Sequence, residues 1–505
     1  MVPKGANMLN VFESLKEKDR DAIDKYKIDS NVLMEIAAKG VCDKIIELAY
    51  KKEPFYKELK RGFLQEIIAK KTIQIVCGSS DNGGDGLALS RMLQDYFVVK
   101  TIMPKPAKSN MCILQKERLD LLGITVEKTI DYECDILVDA LFGTGFRGEL
   151  QKEDAYLLQK MNAVQAVKIA LDVPSSLDIL GVPSFFEGTP STFRADITIS
   201  IGALRTQLYS SLAKDYVGKI YLARLPLPTK IYEGSTNIFL LQKEDAKLPT
   251  RKEKNVNKGT FGHVAVIEGE KKGATQLVAG AALHFGAGLI TIVSDDSTPS
   301  KPDFMLSSSI PQNTTSLAIG PGLGKNNKEF LTRHLPYIIE HKDIKLILDA
   351  DMFYYKEITH FLEQKERAIV LSPHPKEFAS LLKICIGCEL SIEEIRKHKI
   401  ELMKAFSSKY KHVVLLLKDA NTFIAKDDLI FINSLGSPSL AKAGTGDVLT
   451  GIIAACLSQC PSLYDSPLDC TITASLAHAL ASTKLKNNYA LTASSLIKKI
   501  AHLKI

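Results

Sequence analysis

The sequence predicts an α/β chain built from two successive series of parallel strands and helices. The first observation behind this is the recurrence of short, continuous apolar runs rich in β-branched residues, such as Thr72–Cys77, Val167–Leu171 and Val413–Leu417. Runs of that length, without polar alternation, belong to strands buried on both faces of a parallel sheet. The second is that each run leads into a polar or glycine-rich loop and then into a stretch with helical periodicity. The third is length. At 505 residues the chain exceeds what one hydrophobic core holds. The alternation also lapses once, after Leu222, in a stretch carrying Pro226, Pro228 and Gly234 and continuing through the polar run Gln242–Asn257. A division into domains of residues 1–234 and 235–505 is expected.

Composition narrows the class of function. Hydrophobic content of 45% and charged content of 24% are those of an ordinary globular protein. The net charge of +7 is spread over scattered lysines, which suits anionic small ligands and gives no dense tract for nucleic acid. No stretch approaches the roughly 20 apolar residues of a membrane span. The charged segment Lys16–Arg20 stands where a signal sequence would need an apolar run. Nine cysteines without regular spacing read as free thiols in a reducing cytoplasm, and the lone Cys385-x-x-Cys388 pair is a poor zinc site. A cytoplasmic protein acting on small molecules, with no nucleic-acid or membrane partner, is the expectation.

Residues before Met8 carry no pattern. Ser14–Lys25 and Val32–Leu48 read as helices, the second with an apolar stripe suited to the core or to a subunit contact. The strand Thr72–Cys77 feeds the loop Gly78–Gly86, after which Leu87–Phe97 reads as a helix. Strand, glycine loop and helix is an order that cradles phosphate, although the spacing matches neither G-x-G-x-x-G nor the lysine-bearing P-loop. A strand from Asp135 ends at Asp139 and releases Ala140–Gly148; another, Val167–Leu171, releases Asp172-Val173-Pro174-Ser175-Ser176. Open α/β sheets bind ligands at the carboxyl ends of their strands. Asn82, Asp139 and Ser175 could converge there as hard oxygen donors for a cation; equally, a carboxylate at a strand end can cap the next helix.

The second series starts at Gly262–Ile267. Helix Gln276–Phe285 leads to strand Leu289–Val293, and Ser316–Ile319 enters Gly320-Pro321-Gly322-Leu323-Gly324. Leu346–Leu348 enters Asp349-Ala350-Asp351, Ala368–Leu371 enters Ser372–Glu377, and Val413–Leu417 enters Lys418-Asp419-Ala420-Asn421-Thr422. Last comes Ala443-Gly444-Thr445-Gly446-Asp447 ahead of the apolar helix from Val448. Glycines at a helix N-terminus let an anion approach free amides and the positive end of the dipole. Asp447 in that first turn is placed either as a base beside an arriving phosphoryl group or as a helix cap.

These loops, in this order, resemble a known family. Lys258–Gly262, Gly273-Ala274, Gly320–Gly324, Asp349–Asp351, Pro373-His374-Pro375 and Gly444–Asp447 are similar to the ADP-dependent NAD(P)H-hydrate dehydratases. Leu33-Met34-Glu35, Asn82–Gly86, Asp139–Gly145 and Asp172–Ser175 resemble the NAD(P)H-hydrate epimerases, and both halves in sequence resemble the bifunctional bacterial repair enzymes. The resemblance implies a Rossmann-like three-layer αβα domain followed by a ribokinase-like α/β domain. It implies interconversion of the R and S hydrates of NADH and NADPH, then ADP-dependent dehydration of the S form through phosphorylation and phosphate elimination. Implied epimerase contacts are Asp81, Asn82, Gly83, Gly84, Asp85, Gly143, Thr144, Gly145, Phe146, Arg147 and Asp172, with Asp172 a candidate proton carrier. Asn82, Asp139 and Ser175 fall on a potassium site. In the dehydratase half Ala274, Gly322, His374 and Asp447 would line the hydrate site, with Asp447 as base. Lys418, Asp419, Ala420, Asn421, Thr422 and Gly446 would hold ADP, accompanied by Mg2+. A homo-oligomer is expected.

Four residues depart from the family pattern: Asp81 for asparagine, and Ser176, Lys376 and Asp419 for glycine. A histidine framed by prolines, His374, could also be a packing residue. From the residues alone, two other readings stay open: an ordinary kinase for a small alcohol, and a first half that binds without catalysing.

Overall fold

The computed structural model describes residues 7–50, 71–146, 149–295, 301–484 and 487–504. The chain forms two compact units, one of residues 10–236 and one of residues 237–505 together with the segment that ends at Leu9. Arg147, an expected substrate contact, lies outside the described residues.

In the first unit the helices are α1 (Lys16–Asp24), α2 (Ser30–Tyr50), α3 (Asp81–Met92), α4 (Asn110–Leu121) and α5 (Lys152–Ala163). The strands are β1 (Thr72–Cys77), β2 (Val98–Ile102), β3 (Val126–Glu127), β4 (Ile136–Ala140), β5 (Val167–Leu171), β6 (Ile197–Ile201) and β7 (Lys219–Ala223). They lie in the order β7-β6-β5-β4-β1-β2-β3, all parallel. The three layers follow from the strand period of two. Ile73, Ile75 and Cys77 of β1 pack with Val41, Ile45 and Leu48 of α2 and with Leu87 and Leu89 of α3. Val76 points the other way, against Leu158 and Met161 of α5. The apolar stripe of α2 is therefore core. Sheet order reverses between β1 and β4, and there the carboxyl ends of the strands open the crevice that holds this unit's site.

The loop expected over Gly78–Gly86 is shorter than its composition suggests. Helix α3 begins at Asp81, so the glycines form its first two turns, and it stops at Met92 instead of reaching Phe97. The reason is packing. A Cβ on Gly83 would sit 1.9 Å from the carbonyl oxygen of Gly78, so only glycine lets the helix start this close to the strand that feeds it.

In the second unit the strands are β8 (Ile238–Leu240), β9 (His263–Ile267), β10 (Leu289–Val293), β11 (Met305–Ser307), β12 (Ser316–Ile319), β13 (Lys345–Leu348), β14 (Ile369–Leu371), β15 (Val413–Leu417), β16 (Thr422–Lys426) and β17 (Leu429–Asn433). They run β8-β17-β16-β15-β14-β13-β12-β9-β10-β11. Only β16 is antiparallel to its neighbours, in a hairpin with β17. Val266, Ala318, Ile347, Val370 and Val414 form the inner face of this sheet. Against it pack α6 (Lys272–His284), α8 (Thr445–Ser458), α9 (Pro467–Ser482) and α10 (Ala493–Ile500), while α7 (Pro375–Ile386) follows β14. Helix α8 is buried nearly all round, as its unbroken apolar sequence requires. None of the nine cysteines is in a disulfide. Among the described residues no helix is long and apolar enough to cross a membrane.

Candidate active sites

The first unit carries a cavity of about 480 Å³. Asp81, Asn82, Asp85, Gly143, Thr144, Gly145, Phe146 and Asp172 all line it, so the structure brings these expected contacts to one place. Gly83 and Gly84 stand behind them in α3; a Cβ on Gly84 would meet Met34 at 3.0 Å. Asp85 is held far toward its protonated form by burial and by the charges of Asp172, Asp81 and Asp19. Asp172 adopts a positive φ of 67° at the end of β5. That turn aims its carboxylate at Arg205 Nη1 and at the amide of Ile201, 3.1 Å away. Arg205 neutralises it inside the cavity.

Asp139 and Ser175 meet directly beneath this cavity. Ser175 donates its hydroxyl to Asp139 Oδ1 at 2.6 Å and its amide to Oδ2 at 2.8 Å, and the Leu141 amide adds 3.2 Å. The Phe142 amide in turn donates to Ser175 Oγ at 2.8 Å. The next residue, Gly143, leads to Asn82: a Cβ there would lie 3.4 Å from Asn82 Oδ1. Asp139 is fully buried, and burial pushes its carboxyl up to about 6 against the hydrogen bonds of Ser175 and Leu141. Among the described residues no cationic side chain contributes to that balance. Asn82 is buried as well, and its amide nitrogen has no partner among the described residues. A buried acid with no cationic partner among the described residues is what a bound cation would satisfy.

In the second unit the expected residues also converge. Gly444 takes the left-handed conformation, φ 88°, that turns the chain into α8 and sets Asp447 in its first turn. Gly446 lets the Lys418 ammonium approach: a Cβ there would lie 3.7 Å from Nζ. Lys418 donates to Asp349 Oδ1 at 2.6 Å, and Thr450 Oγ1 donates to Asp349 Oδ2 at 2.6 Å. Burial alone would lower the Lys418 pKa, but Asp349 and Glu377 more than offset it, so the net shift is upward. Burial, then the charge of Asp349, pushes the Asp447 carboxyl up to about 6 despite Lys418. A base near that value is well matched to neutral pH.

Ala274 and Gly322 adjoin, since a Cβ on Gly322 would touch the Ala274 methyl at 3.1 Å, and the amide of Lys271 donates to the Gly322 carbonyl at 3.0 Å. His374 is not a packing residue. Its ring is exposed and caps α7 by accepting from the Glu377 amide at 3.2 Å, while Glu377 accepts from the His374 amide at 2.8 Å. Glu377, pushed up to about 7 mainly by burial, faces Lys418 at 4.0 Å and joins this end to the rest. Thr422 opens β16, and Asn421 is buried just before it.

Two departures from the family pattern have structural explanations. The Asp419 carboxylate is tied to Lys399 at 3.1 Å and Arg396 at 3.3 Å, so its added charge is matched by cations. Ser176 holds φ 71°, the region that favours glycine, with its buried hydroxyl unpartnered among the described residues. Sequence reasoning missed several contributors. Thr450 was within reach, three residues after Asp447 on the same helical face. Asp349 was visible only as part of a motif. His478, which bonds through Nε2 to the Thr445 carbonyl at 2.9 Å and holds the glycine turn, gave no signal in its apolar helix.

Comparison with known proteins gives the family of each half. Residues 264–502 match the NAD(P)H-hydrate dehydratase family, and residues 30–207 match the family described as YjeF-related protein N-terminus. The bifunctional NAD(P)H-hydrate repair enzyme Nnr of Helicobacter pylori is 40% identical over 98% of this chain and 100% of its own. The chain belongs to the bifunctional NAD(P)H-hydrate repair enzymes. The repair enzyme of Dictyoglomus turgidum is 29% identical, covering 96% of both chains. Among solved structures, an ADP/ATP-dependent NAD(P)H-hydrate dehydratase of Bacillus subtilis, co-crystallised with ATP and Mg2+, is 25% identical over 52% of this chain and 95% of its own, with a TM-score of 0.43.

Proposed function

We propose that this chain restores hydrated nicotinamide cofactors, interconverting R and S hydrates in the first unit and dehydrating the S form with ADP in the second. The observation that carries the reading is the convergence of Asp447, Gly446, Lys418, Asp349 and Thr450 at the N-terminus of α8. Hydroxide is a poor leaving group and phosphate a good one, so the ring alcohol is first made into an ester. Asp447 takes the proton of the C6 hydroxyl as its oxygen attacks the terminal phosphorus of ADP, and AMP leaves. Lys418 and the first-turn amides of α8 stabilise charge on the transferring group. The C6–O bond then breaks with phosphate departing, and loss of the C5 proton restores the dihydronicotinamide. The loop Lys418–Thr422 holds the nucleotide, and Ala274, Gly322 and His374 border the hydrate.

Asn82, Asp139 and Ser175 would hold K+ in the first unit, where the ion would supply the positive charge that Asp139 lacks. In the second unit, among the described residues, no group of three or more His, Cys, Asp or Glu side chains could hold a metal ion. Mg2+ there would come with the nucleotide phosphates, keeping water ligands, as that ion commonly does. We place the enzyme in the cytoplasm, where its substrates arise.

The test is recovery from a mixture of both hydrates. With ADP, the full chain should return all of the absorbance near 340 nm, roughly the reduced-nicotinamide band. Asp172→Ala should return only the share present as S hydrate, plus slow spontaneous interconversion. No recovery with ADP or ATP overturns the reading.

A further inference from the structure

Part of the first-unit cavity is lined by residues to which neither the family resemblance nor the mechanism above gives a role. Asp19 of α1, Ser80, Arg205 and Tyr232 are the polar members of this lining. The Tyr232 hydroxyl donates to Asp19 Oδ1 at 2.6 Å, across a sequence separation of 213 residues. Tyr232 is fixed in that role. Its ring is 6% exposed, packed with Phe12, Leu15 and Ala203, and a Cβ on Gly202 would come within 2.7 Å of its hydroxyl oxygen. With one Asp19 oxygen so held, Oδ2 has no hydrogen-bond partner among the described residues, in a side chain that faces the cavity. The two carboxyl groups here are treated differently. Asp172 is locked to Arg205 and to the Ile201 amide. Asp19 has no such pairing; burial, and the nearby charge of Asp172, draw it toward the protonated acid, with Tyr232 and Arg205 opposing. Two carboxyls in one cavity, one paired with a guanidinium and the other held by a single hydroxyl, are the arrangement of an acid and a base.

We propose that Asp19 is a second proton-transfer residue of this cavity, acting with Asp172, and that Tyr232 is its positioning residue; the inference rests on the cavity being the epimerase site. Inverting C6 requires oxygen to leave one face and return to the other. Asp19 gives its proton to the C6 hydroxyl, and the C6–O bond breaks with its electron pair, releasing water. The N1 lone pair forms the N1=C6 bond. Water then adds to the opposite face of C6, Asp172 accepts the proton it releases, and the π pair returns to N1. No atom is gained or lost, and one proton has passed from Asp19 to Asp172. A turnover in the opposite sense, or exchange with solvent, resets the pair.

Interconversion of the separated hydrates should be measured in the full chain for Asp19→Asn and Tyr232→Phe, with kcat and KM resolved. Asp172→Ala and Asp139→Ala run alongside, and ADP-dependent dehydration of the S hydrate reports intact protein. Asp19→Asn is expected to lower kcat by roughly 10²–10⁴-fold, the scale of one acid–base group. Tyr232→Phe keeps the ring and its packing and should lower kcat at least fivefold with KM within twofold. If Asp172→Ala and Asp139→Ala abolish interconversion while Asp19→Asn and Tyr232→Phe keep kcat within threefold, the Asp19 proposal is overturned and the epimerase reading survives. A rise in KM alone for both variants also overturns it, because that marks a binding role. Should all four variants interconvert the hydrates like the parent, the reading of the cavity itself fails, and the proposal with it.

Discussion

Each unit buries a carboxylate at the heart of its site, and the two are compensated in different ways. Asp349 in the second unit is answered by the Lys418 ammonium and the Thr450 hydroxyl, both at 2.6 Å. Asp139 in the first unit is as deeply buried but, among the described residues, is answered only by Ser175 and the Leu141 amide, dipoles without charge. The difference matches the chemistry each unit performs. Phosphoryl transfer moves negative charge, so a resident cation belongs to the protein and stays beside the glycine turn. The first site handles protons on a neutral ring alcohol, and the proposed K+ would supply the positive charge that Asp139 lacks. Buried charge is tolerated in both because it is paired or is given somewhere to be paired.

Removing the lysine should show the larger dependence. Lys418→Met leaves Asp349 buried without its partner and should destabilise the second unit by about 3–5 kcal/mol, the usual consequence of breaking a buried pair. Calorimetry would show its transition falling while the first unit's stays in place; equal shifts in both would contradict the comparison. The first unit should respond to K+ instead. Raising K+ to 100 times its dissociation constant should stabilise it by about 2.7 kcal/mol, and Asp139→Asn should remove that response. A smaller effect is expected at Ser176. Relief of its left-handed backbone, worth about 1–2 kcal/mol, less the added freedom of glycine in the unfolded chain, leaves Ser176→Gly more stable by roughly 0.5–1 kcal/mol. Unchanged melting of the first unit would mean that the strain is relaxed elsewhere.

The parallel strands were legible because burial on both faces leaves an unbroken apolar run, and Val167–Leu171, Ser316–Ile319 and Val413–Leu417 fall where the sequence places them. The glycine segment before Leu87 was misread as loop because its glycines serve close packing inside a helix, a tertiary demand that local propensity does not carry. The hairpin of β16 and β17 gave little signal beyond Asp427, which takes φ 59° at its turn. The cluster around Asp447 was readable in part because its loops recur at the ends of consecutive strands. Asp19, Tyr232 and His478 were not, since each acquires meaning only from a residue brought to it by the fold.

The second site's chemistry rests on Asp447 acting as the base, and the rate of AMP formation in a single turnover tests this most directly. A base must be unprotonated, and the Asp447 carboxyl sits at about 6. With S hydrate and ADP, the rate should climb about tenfold per pH unit below that value and level off above it. Asp447→Asn should lower the rate roughly 10²–10⁴-fold and erase the inflection, whereas Glu377→Gln should leave an inflection near 6. An inflection that persists in Asp447→Asn, or a rate within threefold of the parent, would contradict the assignment.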